Sequence, residues 1–402
     1  GHYKTKDLVT YEQCQPVLFP DSDEDAHGVY SGSAFCENGK INFFYTGNVK
    51  LFDRPDYDYI NSGRVSNTMY VTSEDGMHFS PKKCLMTNSD YPADISAHVR
   101  DPKIIKREDG YYMVLGARDK ESKGLVLVYR SDDLTNWKYH GRITTENAFG
   151  YMWECPDLFA LGDQHILICC PQGIAREEEC YLNTYPAVWM AGEFDYAAGA
   201  FRHGELHELD AGFEFYAPQT MLTSDGRRLL VGWMGVPEGE EMLQPTLNNG
   251  WIHQMTCVRE LEWQAGTLYQ RPLRELVALR GEAQGWCGQT LPLAPMELAF
   301  DIAPNSTLGL DFAGALQLTV NRNGLRLSRR GLQTAEMHHR YWRGEARRLR
   351  IFIDRSSVEI FINDGEGVMS SRLFPDYPAQ LVFSGATPVT FCYWSLEPCM
   401  VE

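Results

Sequence analysis

Gly150-Tyr151-Met152-Trp153-Glu154-Cys155-Pro156-Asp157-Leu158-Phe159 sets one glutamate among Met, Trp, Cys and Pro. Apolar neighbours disfavour an ionised carboxyl and raise its pKa, which is the condition for acid catalysis near neutral pH. Taken alone, Glu154 is more often an ordinary strand-end or loop glutamate. A second stretch changes the balance. Val99-Arg100-Asp101-Pro102 sets an aspartate against a fixed cation and a rigid ring. The arginine favours ionised Asp101, and the proline restricts the backbone before it. One carboxyl biased neutral and one biased charged is the division of labour of glycoside hydrolysis. For the tripeptide alone, a turn with a surface ion pair is the favoured reading.

Around these stretches the chain reads as strands. Short apolar runs are Ile41 to Tyr45, Tyr111 to Leu115, Leu125 to Tyr129, His165 to Cys169 and Arg228 to Met234. Turn clusters such as Glu37-Asn38-Gly39, Glu108-Asp109-Gly110 and Ser224-Asp225-Gly226 bound them. A weak repeat runs through the first part. Thr5-x-Asp7, Ser73-x-Asp75 and Ser131-x-Asp133 are each followed, four residues after the Asp, by an aromatic: Tyr11, Phe79 and Trp137. Hydroxyl and Asp side chains satisfy turn backbone, so each reads as a hairpin turn. Strand-built units recurring at intervals of 68 and 58 residues suggest propeller blades. Arg271 to Arg280 predicts a short helix with Leu273, Leu276 and Leu279 or Val277 on one side. Gly281 to Leu293 reads as a linker. Arg348 to Asp354, Val358 to Asn363 and Gly367 to Phe374 then read as a hairpin series of a β-sandwich.

Trp153-Glu154-Cys155-Pro156-Asp157, Arg100-Asp101-Pro102, Tyr30-Ser31-Gly32-Ser33-Ala34 and Phe215-Tyr216-Ala217-Pro218-Gln219 together resemble glycoside hydrolase family 32, the invertase and fructan-hydrolase family. The closest likeness is to its bacterial members that cleave sucrose 6-phosphate. The resemblance runs from Gly1 to the C-terminus. It implies an all-β chain: a five-bladed β-propeller, here with its first blade truncated at the N-terminus, followed by a β-sandwich. The expected domains are residues 1–275 for the propeller, 276–292 for a linker with the short helix, and 293–402 for the sandwich.

The resemblance also implies retaining hydrolysis of a β-fructofuranosidic bond in sucrose 6-phosphate or sucrose. Glu154 corresponds to the acid/base and Asp101 to a carboxylate that binds fructose hydroxyls and stabilises the oxocarbenium-like transition state. Arg100 would orient Asp101 and touch substrate. Ser31, Gly32, Trp153, Tyr216 and Trp233 are the remaining candidate substrate-binding residues. For Gly32 the alternative is a tight strand turn, and for Tyr216 and Trp233 it is the core. Trp153 is expected to pack on Glu154 and raise its pKa. The family's nucleophile is an Asp in an Asn-Asp-Pro-Asn-Gly motif, which these 402 residues lack. Asn363-Asp364-Gly365 is the nearest word and reads as a hairpin turn. The expectation is therefore that the nucleophile lies in a preceding segment and that the chain as given is nearly inactive. A non-catalytic fructoside-binding protein and a fructan hydrolase stay open as alternatives.

Composition bounds the partners. The net charge of −17 opposes nucleic acid or an anionic membrane as partner, and a small sugar is the expected ligand. No apolar run is long enough to span a bilayer. Eleven scattered cysteines without a Cys-x-x-Cys give neither a zinc pattern nor a disulfide framework, and point to a reducing, cytoplasmic setting. No metal or organic cofactor has a motif. A phosphate on the substrate needs a cationic cluster at the pocket mouth, for which His98, Arg118, Lys120 and Lys123 are candidates. Oligomeric state is not legible in the sequence.

Overall fold

A computed structural model describes residues 1–235, 241–286, 290–334, 336–385 and 390–401. Residues 287–289 of the expected linker lie outside this set. The described chain is mostly strand, with helix only as short 3₁₀ turns. None of its helices is long and apolar enough to cross a membrane, which leaves membrane β-barrels unaddressed. It forms two compact units. The first comprises Gly1–His2, Gln13–Ala175 and Ala187–His207; the second comprises Tyr3–Glu12, Arg176–Pro186 and Glu208–Glu402.

The first unit is built from three antiparallel meanders, each paired in chain order. The first sheet holds Val29–Glu37, Lys40–Lys50, Arg64–Ser73 and Lys83–Met86. The second holds Ile95–Arg107, Gly110–Asp119, Gly124–Ser131 and Lys138–Ile143. The third holds Met152–Leu161, Gln164–Gln172, Val188–Asp195 and Ala200–His203. The leading strands of the three sheets lie next to one another, as the innermost strands of propeller blades do. Phe44, Val99, Met113, Leu115, Leu127 and Tyr129 pack the first two sheets together, all buried. That burial, repeated along each strand, is the main source of the unit's stability.

The Ser/Thr-x-Asp repeat is one turn used three times. In each copy the hydroxyl bonds the Asp: Thr5 Oγ1 to Asp7 at 3.3 Å, Ser73 Oγ to Asp75 at 3.2 Å, and Ser131 Oγ to Asp133 at 3.2 Å. The same Asp Oδ1 then accepts two backbone amides, from Val9 and Thr10, Met77 and His78, or Thr135 and Asn136. In the first two sheets this turn joins the third and fourth strands.

The second unit contains one further four-stranded meander, Tyr216–Leu222, Arg228–Trp233, Arg259–Gln264 and Thr267–Pro272. It also contains two six-stranded sheets, which share a core of Leu298, Phe300, Leu310, Leu318, Ile351 and Ile360. Arg348–Ile353, Ser357–Ile362 and Gly367–Arg372 are neighbours in one of them, as the hairpin pattern predicts. The strand Ser357–Ile362 is buried at all six positions. Its inner Glu359 is compensated by Arg259, whose Nη2 also reaches Asp210 at 2.9 Å and Ser370 at 2.7 Å. Asn363-Asp364-Gly365 is the expected turn, with positive φ at all three residues. The predicted helix is a 3₁₀ turn, Arg274–Leu279. Residues three apart eclipse in that geometry, so Leu273, Leu276 and Leu279 share a side while Val277 is exposed.

Candidate active site

The site residues of the first unit sit on its three leading strands, and each strand carries a β-bulge at the same place. Pairing shifts between Tyr30 and Gly32, between Arg100 and Lys103, and between Glu154 and Asp157. A bulge inserts an extra residue and re-aims a side chain, and bulges recur beside active sites. Asp101 and Cys155, each directly before a proline, take left-handed backbone with φ of 62° and 49°. A non-glycine residue there costs about 1–2 kcal/mol. In the second unit Tyr216 and Gln219 flank the same irregularity, and Ala217 before Pro218 has φ of 46°. The four sequence motifs are thus the four bulges.

Glu154 is held on both oxygens. Arg100 donates from Nε at 2.9 Å and Nη2 at 2.8 Å to Oε1, and Gln172 Nε2 donates to Oε2 at 2.8 Å. The expectation of an apolar nest around Glu154 is corrected: a guanidinium and an amide hold its two oxygens. Trp153 is corrected with it. Neighbouring strand residues face opposite ways. The Trp153 ring is fully buried, stacks on Phe149 at 4.5 Å and donates Nε1 to Phe149 O at 2.8 Å. It has no surface to offer a sugar.

Asp101 is buried, and its Oδ2 accepts the Cys155 amide at 2.8 Å while its own amide donates to Thr46 Oγ1 at 2.9 Å. Burial pushes its carboxyl up to about 6, with Arg100 and the Cys155 amide pulling down and Glu154 pushing up. Arg100 is expected to orient Asp101, on which its charge acts. Its side chain sends its hydrogen bonds to Glu154 and His98 and not to Asp101. Cys155 is buried, and its contact with Cys170, together with burial, pushes its thiol well above the usual range. It is an inert packing residue.

Ser31 is the extra residue of its bulge and is exposed. Gly32 is required by packing, since a Cβ there would lie 1.9 Å from Phe44 O. His98 is buried, and its Nδ1 accepts from Arg100 Nη1 at 3.1 Å. Burial and the Arg100, Arg64 and Arg118 charges push its pKa down to about 2, so it is neutral. Lys120 donates to Ala93 O at 2.6 Å and Lys123 pairs with Glu121 at 2.9 Å. Arg118 stacks on Tyr151 at 4.7 Å. In the second unit Tyr216 is buried and faces Trp233 across the hairpin with ring centroids 6.4 Å apart. Among the described residues no group of three or more His, Cys, Asp or Glu is placed to hold a metal.

Sequence reasoning missed two residues. Gln172 lies two beyond Cys170, the cross-strand partner of Glu154, so the period-two rule puts it on the same face; counted from the Gly162-Asp163 turn without the bulge, the register places it on the opposite face. Arg64 begins a strand and reaches His98 at 3.5 Å; nothing in its local sequence marks it.

Comparison with known proteins gives this geometry a context. Residues 1–272 match the description "Glycosyl hydrolases family 32 N-terminal domain", and residues 314–394 match "Glycosyl hydrolases family 32 C terminal". The chain is 65% identical over 407 residues to a sucrose-6-phosphate hydrolase of Klebsiella pneumoniae, covering 100% of this chain and 85% of the relative. Among solved structures, a sucrose-6-phosphate hydrolase from Lactobacillus gasseri is similar with a TM-score of 0.88 and 29% identity, covering 99% of this chain and 84% of that one. A Bombyx mori GH32 β-fructofuranosidase in complex with sucrose is similar with a TM-score of 0.83 and 29% identity, covering 100% of this chain and 85% of that one. Family members combine a propeller with a sandwich, and the three bulged meanders and the paired six-stranded sheets agree with that architecture. The chain belongs to glycoside hydrolase family 32.

Proposed function

We propose that the chain acts on the β-fructofuranosidic bond of sucrose 6-phosphate, and of sucrose, by retaining double displacement. The observation that carries this reading is the pair of carboxyls on adjacent bulged strands, Glu154 fixed by Arg100 and Gln172 and Asp101 on the Cys155 amide. In the first step a carboxylate attacks the anomeric carbon. The bond to the glucosyl oxygen breaks as Glu154 gives that oxygen its proton. In the second step Glu154 takes a proton from water, whose oxygen displaces the enzyme carboxylate and frees fructose. Asp101 holds fructose hydroxyls and stabilises the positive charge that develops.

The attacking carboxylate belongs to a motif absent from these 402 residues. In this reading a segment outside them supplies it, the propeller has five blades with the first one incomplete here, and these residues alone turn over sucrose negligibly. The hairpin His2–Thr5 and Thr10–Cys14 carries the same Asp turn as the outer hairpins of the first two sheets, which supports its belonging to a blade. The domains are read as 1–275 and 293–402 with 276–292 between; the two family descriptions end at 272 and begin at 314, which is compatible. The ten described cysteines are free thiols, which supports a cytoplasmic setting. A second reading, a fructoside-binding protein without catalysis, is favoured by the missing motif and opposed by the intact contacts of Glu154.

The test is fructose release from sucrose 6-phosphate and from sucrose, with the chain extended by an upstream segment bearing Asn-Asp-Pro-Asn-Gly. Release from both, faster from the phosphate at low concentration, is expected. Equal rates remove the phosphorylated substrate, and binding without release leaves the second reading.

A further inference from the structure

Arg64 is a buried cation with no ion-pair partner among the described residues. It is 1% exposed, and neither Nε nor Nη2 has a hydrogen-bond partner among them. Nη1 has only the 3.5 Å approach to His98 Nε2. Since His98 Nδ1 accepts from Arg100, Nε2 carries the ring's hydrogen in the neutral tautomer and does not accept from Arg64. Its guanidinium lies 4.7 Å from the centre of the Tyr59 ring and 6.0 Å from that of the Tyr30 ring. Burial and the like charge of Arg100 push the Arg64 guanidinium below its usual range. An unpaired buried charge is strongly unfavourable, so such a group marks a place that an anion completes.

The surroundings are shaped for one. Lys50 pairs with Arg64 across the sheet, and the loop between them, residues 51–63, rises at the end of the sheet that carries Tyr30 and Ser31. The Lys50 ammonium has no hydrogen-bond or ion-pair partner among the described residues. It lies 5.9 Å from the Phe52 ring and 6.0 Å from the Tyr59 ring. Both rings are exposed, at 62% and 37%. Of the loop's three acids, Asp53, Asp56 and Asp58, the last two are engaged elsewhere. Asp56 is held by Arg54 at 2.9 and 2.7 Å, and Asp58 caps its own turn through the Ile60 amide and Asn61. A relay of contacts, Glu154 to Arg100 to His98 to Arg64, connects this corner to the acid/base.

We infer that Lys50 and Arg64 hold the phosphate monoester of a phosphorylated sugar, with Tyr59 as the ring that turns aside to admit it. The inference rests on the proposed phosphorylated substrate and names the residues that would recognise it. Arg64 offers two free N–H groups in a planar fork, the geometry that suits phosphate, and Lys50 adds a point charge. Phe52 and Tyr59 offer apolar faces for the sugar ring between phosphate and scissile bond.

The test is titration calorimetry of the purified 402-residue chain with sucrose 6-phosphate, sucrose and inorganic phosphate, comparing wild type, Lys50→Met, Arg64→Met and Arg64→Lys. Circular dichroism melting checks that each variant is folded. Wild type is expected to bind sucrose 6-phosphate at least about tenfold more tightly than sucrose, from charge-assisted hydrogen bonds. In Lys50→Met and Arg64→Met that ratio falls to within about twofold of one, and Arg64→Lys restores part of it. If Arg64→Met does not fold, Lys50→Met decides. Full retention of the ratio in Lys50→Met and in every folded Arg64→Met sample overturns the site and leaves the proposed function standing. A wild-type ratio near one, or no sugar binding at all, overturns the phosphorylated substrate and this inference with it.

Discussion

The two carboxyls of the site differ in what holds them, and burial displaces the titration of Asp101. Its folded pKa of about 6 lies above the ordinary carboxylate value of 3.8. Between those values the folded chain binds more protons than the unfolded one, so stability falls as pH rises through this window. At neutral pH the charged Asp101 therefore costs on the order of 3 kcal/mol. Asp101→Asn keeps an oxygen for the Cys155 amide and removes the charge. It is expected to be more stable than wild type at pH 7.5 by up to that amount, with the difference vanishing towards pH 4, in urea titrations at the two pH values. Equal stability at pH 7.5 contradicts the assignment. The candidate catalytic residues are legible as types and order in the sequence, since Glu154 and Asp101 stand in recognisable words. Their electrostatics were not. The reading that Arg100 serves Asp101 follows adjacency along the chain, and the Arg100 hydrogen bonds to Glu154, 54 positions away, are not legible there.

At the scale of elements, the bulge is the device that makes a site from strands. Plain alternation would place Arg100 and Asp101 on opposite faces and give each strand one usable residue at this depth. The extra residue and the left-handed turn before Pro102 and Pro156 bring backbone and side chains from adjacent strands together. Gly32 shows how tight the device is. Gly32→Ala drives a methyl into the Phe44 carbonyl, 1.9 Å away. The variant is expected to lose at least about 2 kcal/mol in urea unfolding, as overpacked sites do. Wild-type stability in Gly32→Ala would mean the bulge relaxes freely. Strand runs and the Ser/Thr-x-Asp turns were readable because each depends on local chemistry: alternation, and an Asp that caps the amides two and three residues on. The bulges were not readable as bulges, because register is settled between strands. The 3₁₀ turn at Arg274–Leu279 was read as a helix for a similar reason: an apolar side recurring every three residues does not distinguish the two over so short a run.

For the whole molecule, the order of motifs in the sequence is the order of leading strands. That is why a family resemblance resting on four short words extended over the full chain. Chain-order meanders need no long crossovers, so sequence neighbours become sheet neighbours and the propeller part is easy to infer. Arg64 is the counter-example: its importance arises where the first sheet, the loop 51–63 and the strand Ile95–Arg107 meet, and no local pattern announces it. In the proposed function Glu154 is the proton donor and acceptor of a fructoside hydrolase. The most direct measurement is the rate of fructose release from sucrose 6-phosphate by the chain carrying an upstream Asn-Asp-Pro-Asn-Gly segment, beside the same protein with Glu154→Gln. A loss of about 10²-fold or more in the variant, with the fold intact, is the predicted result. Equal rates for the two proteins would contradict the assignment.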